Sequence, residues 1–314
     1  MAIADTSTPS FASGETRRLL RGIGVGLLAA SIGALYVVFA RWGLQHGASP
    51  MDLTALRFGV SGLILLPILV LQWRRAPAVL TGQWRIWLLV GLLAGTPFGL
   101  LMFGALQLAP ASHAAIFPFA AMSVMGMVIA AITLGDRLTL RRVSGIGIVV
   151  GGLVLISGIR ADSFTASGLL GDAMFVLAGT LWAGFGVLLR KHRLDPVLAT
   201  AVIAFSALVT FVPVYLSFSG GGGLFALDMR VLLVEILVQG VIAGVGTLFT
   251  YASMVGILGP ARAAIFPALA PGLATLLAWP VLAHMPGPAE LAGLFAVIVG
   301  LIWAVTGQSS PVRR

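Results

Sequence analysis

Apolar positions in this chain come in ten long unbroken runs separated by short polar connections, with no alternation that would leave one face of a strand or helix wet. The runs cover residues 22–43, 51–72, 86–107, 112–134, 143–160, 169–189, 196–217, 231–257, 261–283 and 290–307. Each is close to the roughly 20 residues an α-helix needs to cross about 30 Å of hydrocarbon. The pattern predicts an all-α polytopic membrane protein with ten transmembrane helices. The longest connection, 217–230, passes through the flexible run Gly220-Gly221-Gly222-Gly223, so no soluble domain fits between spans. The opening MAIADTSTPSFASGET is small and polar and predicts a disordered tail, taken as residues 1–21. Arg17, Arg18 and Arg21 then precede an apolar run followed by nine more, which reads as a retained first span and not a cleaved signal peptide.

Composition narrows the class. Hydrophobic residues make up 59% of the 314 and charged residues 9%, against roughly 45–50% and 25% in soluble domains. With no cysteine, disulfides and thiolate chemistry are excluded. A net charge of +9 would suit nucleic acid, but the placement of the charges argues for a bilayer instead. With the N-terminus inside, Arg74, Arg75, Arg85, Arg137, Arg141, Arg142, Arg190, Lys191, Arg193, Arg262, Arg313 and Arg314 join the N-terminal arginines on the inner side. The outer loops keep only Arg160 and Arg230, while Arg41 and Arg57 belong to the spans or their outer ends. The positive-inside rule then predicts a cell inner membrane protein with both termini cytoplasmic.

The chain also matches itself. At an offset of 146, Gly22, Gly33, Phe39, Pro50 and Pro67 fall on Gly168, Gly179, Phe185, Pro196 and Pro213, and Tyr36 falls on Trp182. At an offset of 149, Gly91, Gly95, Gly151 and Gly158 fall on Gly240, Gly244, Gly300 and Gly307, and the run Ala-Ala-Ile-Phe-Pro at 114–118 falls on itself at 263–267. A collinear series of this kind predicts a duplication, with repeats over 22–160 and 161–307 and a short tail over 308–314. Five spans per copy is an odd number, so the second copy enters the membrane from the other side. Inverted-topology repeats are an architecture of secondary transporters, which bind solute near the midplane between the copies and alternate access between the two faces.

GALQLAPASHAAIFPFAAMSVMGMVIAAITLGDRLTLRRVSGIGIVVGGLVLI, residues 104–156, resembles the final spans of an EamA-type repeat of the drug/metabolite transporter superfamily. PMDLTALRF at 50–58 is similar to the start of that family's second span. The resemblance extends over about Gly22 to Gly307 and implies a carrier of small organic metabolites such as amino acids, often exported. The family usually places Glu at the end of the fourth and ninth spans; here the first is Asp136 and the equivalent of the second is Met285.

Several residues stand out as substrate-binding candidates. Pro118 and Pro267 each remove an amide donor and free the carbonyl of Ala114 or Ala263, which predicts two paired kinks facing a shared cavity, or bends satisfied by neighbouring helices. His113 and Arg262, equivalent at offset 149, are expected as mirrored gate residues or as headgroup-level basic groups. Tyr36 and Trp182 lie inside their spans and, with Phe117 and Phe266, are expected to wall an aromatic site or to pack a core. Arg57, Asp172 and Glu235 fall in the outer third, where a charge tends to be paired. Arg57 is expected to be neutralised by Asp172 or Glu235, a carboxylate left over being the natural coupling site for protons; the alternative is solvation at the span mouth. Gln239, four residues after Glu235, shares its helix face. Gly91 and Gly95, with their equivalents Gly240 and Gly244, predict close helix approach.

An enzyme is disfavoured. His46, His113, His192 and His284 lie in four segments, no two acidic residues share a helix-face spacing inside a span, and the only lysine, Lys191, follows no glycine-rich loop. No cofactor and no metal site is expected, nor a filter ring that would mark a channel. The expected partners are a small-molecule substrate and the lipid bilayer, the chain acting as monomer or homodimer, with no nucleic acid.

Overall fold

The computed structural model describes residues 10–109, 111–158, 164–219, 222–282 and 285–306, and every regular element among them is helical. The long helices are α1 (Ser10–Gln45), α2 (Pro50–Arg75), α3 (Trp84–Leu108, broken at Gly95), α4 (Phe117–Leu134), α5 (Leu140–Ser157), α6 (Ala166–Lys191), α7 (Pro196–Ser219), α8 (Met229–Leu258), α9 (Leu269–Leu282) and α10 (Pro288–Thr306). Among the described residues nine helices are long and apolar enough to cross a membrane, and the segment Phe266–Leu277 is a shorter apolar helix. α1 begins at Ser10, so its first turns occupy part of the stretch expected as a disordered tail. Residues 1–9, the repeat boundary at 160/161 and the tail 308–314 lie outside the described residues.

Local chemistry explains where the spans begin. Ser49 caps α2 in a capping box, its hydroxyl accepting from the Asp52 amide at 3.2 Å while the Asp52 carboxylate accepts from the Ser49 amide at 2.8 Å. At the equivalent position in the second copy, Asp195 accepts from the Leu198 amide at 2.7 Å at the start of α7. Pro50 and Pro196 follow these caps in the first turn, where a missing amide costs nothing. Thr54 and Thr200, also equivalent, each return a hydroxyl to the carbonyl of that proline, at 2.7 and 2.8 Å.

Helix pairing follows the same exchange of halves. α1 packs on α8 and α9, and α6, its equivalent, packs on α3 and α4. α2 packs on α8, and α7 packs on α3. Two further pairs, α2 with α7 and α5 with α10, are each a helix against its own equivalent. Both run antiparallel: Gly145 lies against Ala304 and Gly152 against Gly293 and Val297, while Gly59 lies against Val212 and Gly62 against Ala204 and Leu208. Equivalent helices that run antiparallel are compatible with two copies inserted in opposite orientations.

Two local departures from the sequence expectation matter for the site. The run 112–134 is not one kinked helix: a turn at Ala111–Ala114 ends before Phe117, and Pro118 sits in the first turn of α4. The second copy does the same with Pro260–Ala263 and a 3-10 turn at Phe266–Ala268 ahead of α9. The chain breaks before each proline because a proline in the first helical turn removes no hydrogen bond, whereas one in the interior does. In α8, residues Ile236–Thr247 wind as a π-helix, a rare form associated with functional sites, which the apolar run did not signal.

Because the chain has no native cysteine, single cysteines report sidedness without background. Met51→Cys, at an exposed position of α2, and Asp195→Cys, at the cap of α7, are expected to react with an impermeant maleimide from opposite faces of the bilayer. Labelling of both from one face would overturn the inverted arrangement.

Candidate functional site

At the middle of the bundle, where the broken segments and the π-helix converge, lies a cavity of about 40 Å³ lined by both halves. The first half supplies Ala29, Ala30, Gly33 and Tyr36 from α1, Arg57 from α2, Phe98 from α3, and Phe119 and Met122 from α4. The second supplies Trp182 from α6, Thr247 and Tyr251 from α8, Pro267, and Ala270 from α9. Tyr36 and Trp182 are equivalent at one offset, and Phe98 and Thr247 at the other, so the cavity sits on the relation between the copies. Small residues let the walls close: Gly33 packs against Ala270, and its equivalent Gly179 against Ala121.

Arg57 is the charged residue of this wall, and it is 1% exposed. Gly244 brings α8 against the Arg57 carbonyl, which also accepts the Ser61 hydroxyl at 2.7 Å. The guanidinium lies 4.7 Å from the Tyr36 ring centre and 5.8 Å from that of Phe58, a cation–π arrangement. The Tyr36 ring is held edge-on by Phe103, and the Gln239 amide donates to the Tyr36 carbonyl at 3.1 Å. On the other side, Trp182 packs on Phe98 at 4.6 Å and on Tyr251 at 5.0 Å between ring centres, with Phe185 stacked behind Tyr251. Next to Tyr251 and one turn beyond it, Ala252 and Val255 line a second space.

That second space, about 450 Å³, opens at the end of the bundle that carries the start of α1. Arg18, Arg142, Arg190, Arg193 and Arg262 surround it, with Asp136 as the acidic member of its wall. Asp136 bonds the Arg190 guanidinium at 3.1 and 3.2 Å. Arg142 is 1% exposed, with Asp136, Arg262 and Arg190 as charged neighbours, so the mouth carries a strong excess of positive charge. The opposite end is built differently. His113 is buried and meets Asp172 at 2.8 Å, between the rings of Phe117 and Phe164. Asp52 is bonded there by the Tyr215 hydroxyl, and Glu235 is fully buried against Gly43.

The candidates from the sequence therefore divide. Tyr36, Trp182 and Pro267 reach the central cavity, together with Arg57. Arg262 lies in the arginine-lined mouth. His113 and Phe117 belong to the buried contact with Asp172, Phe266 packs on Gly26, and Gln239 braces α1. Pro118 lets its carbonyl lie against Gly179 of α6. The expected pairing of Arg57 with Asp172 or Glu235 does not form: Asp172 is taken by His113, and no ion pair joins Arg57 to a carboxylate among the described residues. Nor is Asp172 solvated, being 5% exposed. Beside the carbonyl expected to be freed at Ala263, the Ser123 hydroxyl of α4 reaches that of the next residue, Ala264, at 3.5 Å. The predicted close approach of Gly91, Gly240 and Gly244 is present, against Ser206, Val60 and the Arg57 carbonyl. Sequence reading missed Tyr251, Met122, Phe98 and Thr247; the 149 offset relating the last two was the one available signal.

Residues 20–158 match the model of the EamA-like transporter family. The matched stretch ends with α5, one five-helix unit. Over 93% of this chain and 97% of its own, a solved structure described as "Crystal structure of protein" is similar, with a TM-score of 0.65 at 22% identity, which shows a shared fold. No curated protein matches the sequence.

Proposed function

We propose that this EamA-like chain is a secondary carrier that moves small organic metabolites across the cytoplasmic membrane, with the central cavity as its solute site. The observation that carries the reading is the cavity's composition: both halves build it, with the equivalent residues Tyr36 and Trp182 in its wall. A cavity of about 40 Å³ is far below the roughly 300–1,000 Å³ of a ligand pocket. A metabolite therefore enters only as the halves separate. The arginine-lined mouth lies on the inner side if positive charge marks the cytoplasm, which makes the present state one with an inner vestibule and a sealed outer end. Export is the direction that the likeness to the EamA-like family implies, with both termini cytoplasmic. Rocking of the halves would pass the site from one face to the other, as in other inverted-repeat carriers.

The test is counterflow. Proteoliposomes preloaded with an unlabelled solute are expected to take up the labelled solute transiently above equilibrium, with saturable kinetics. Conductance steps in planar bilayers without counterflow would make the protein a channel, and recovery of an altered product would make it an enzyme.

A further inference from the structure

Three polar groups in the cavity wall share an unusual condition. Arg57 Nε and Nη1, Thr247 Oγ1 and Tyr251 Oη are all buried without a hydrogen-bond partner, and all three residues line the same small space. They come from α2 of one half and α8 of the other. Buried polar atoms are nearly always bonded, and a charge at membrane depth is paired or faces a cavity. Of the two carboxylates that sequence offered as partners, Asp172 meets His113 and Glu235 is not part of the cavity wall; Asp52 meets Tyr215 and the Ser49 amide. Among the described residues no acidic side chain lines the cavity.

We propose that the missing partner is the solute itself, and that it is a small organic monoanion with an apolar body. Its carboxylate is held by the Arg57 fork, which matches a planar carboxylate through paired N–H donors, with the Thr247 and Tyr251 hydroxyls donating to the remaining lone pairs. Its apolar body lies against Phe98, Met122 and Trp182. An ammonium group would find a cation and no carboxylate, so zwitterions and amines are discriminated against by the unpaired charge they bring. The excess of arginine around the wider mouth has the sign that draws anions in. This inference rests on the carrier reading and names the solute class of the same site.

Three probes with one ring and similar chain length separate the charge types: 3-phenylpropionate, phenylalanine and phenethylamine. With purified full-length protein in detergent, 3-phenylpropionate is expected to bind at least tenfold more tightly than the other two, measured by equilibrium binding and by the rise in Tm. Arg57→Gln is expected to weaken that binding at least tenfold and to raise the Tm of the ligand-free protein, because it removes a lone buried charge; a merely structural arginine would lower it. Arg57→Lys should keep part of the affinity. Tighter binding of phenylalanine or phenethylamine, binding of none of the three at millimolar concentration, or unchanged 3-phenylpropionate affinity in Arg57→Gln overturns the proposal. So does a lowered Tm in both Arg57→Gln and Glu235→Gln that the double change restores, since Glu235 would then be the counter-ion. Binding that depends on Arg57 without counterflow would keep the anion site and remove the carrier. Counterflow of phenethylamine that survives Arg57→Gln would do the reverse.

Discussion

His113→Ala is expected to cost about 3–5 kcal/mol of stability, the range for removing one partner of a buried charged contact. It should be read as a large fall in Tm of the purified protein. The side chain of His113 is 0% exposed and that of Asp172 8%, with 2.8 Å between them. Asp172 Oδ2 already lacks a hydrogen bond, so losing the imidazole would leave a carboxylate in the bundle interior with neither oxygen bonded by His113. Asp172→Asn removes the charge and keeps an acceptor, and the expected loss is only about 1 kcal/mol, that of a neutral hydrogen bond. If His113→Ala melts within a degree or two of wild type, the contact is not what seals this end of the bundle.

Gly152→Leu is expected to prevent assembly, or to destabilise at the upper end of the roughly 1–3 kcal/mol typical of overpacking. A Cβ at Gly152 would stand 2.7 Å from the Gly293 carbonyl oxygen and 2.9 Å from the Val297 amide, both backbone atoms of α10. Backbone cannot swing aside as a flexible side-chain end can, so α5 and α10 would have to part. Gly151, the next residue, is exposed with nothing within 4 Å of its Cβ position, and Gly151→Leu is the matched control. The expected result is an aggregated or unfolded Gly152→Leu and a monodisperse Gly151→Leu on size exclusion. Equal behaviour would mean that the two helices do not meet as described.

The legible part of this structure is the part fixed by long apolar runs and by the self-matches at offsets of 146 and 149. Spans show in sequence because hydrocarbon tolerates no polar interruption of length. Gly33 and Gly179, or Ser49 and Asp195, could be aligned because the two copies meet the same packing and capping demands. Side-chain pairing was less legible. Depth along a span set Arg57, Asp172 and Glu235 at one level, but their rotation about three helix axes decided which could touch. His113 stands in the turn Ala111–Ala114 before Pro118 and meets Asp172 of α6 from there. The π-helix in α8 was not readable either, since a change in winding alters the facing of Gln239, Thr247 and Tyr251 without altering composition.

Aligned at these two offsets, the halves differ at their mouths. Where one carries Asp172 against His113, the equivalent residues are Gly26 and Arg262; where one carries Arg142, the other has Leu291. A perfectly repeated molecule would spend equal time facing each compartment. On the proposed carrier cycle these unlike mouths give the two resting forms unlike energies, so the half-saturation for a given solute should differ between faces while the ratio of maximal rate to half-saturation stays the same in both directions. Detailed balance permits that inequality, and it forbids net accumulation from it unless a second gradient is consumed.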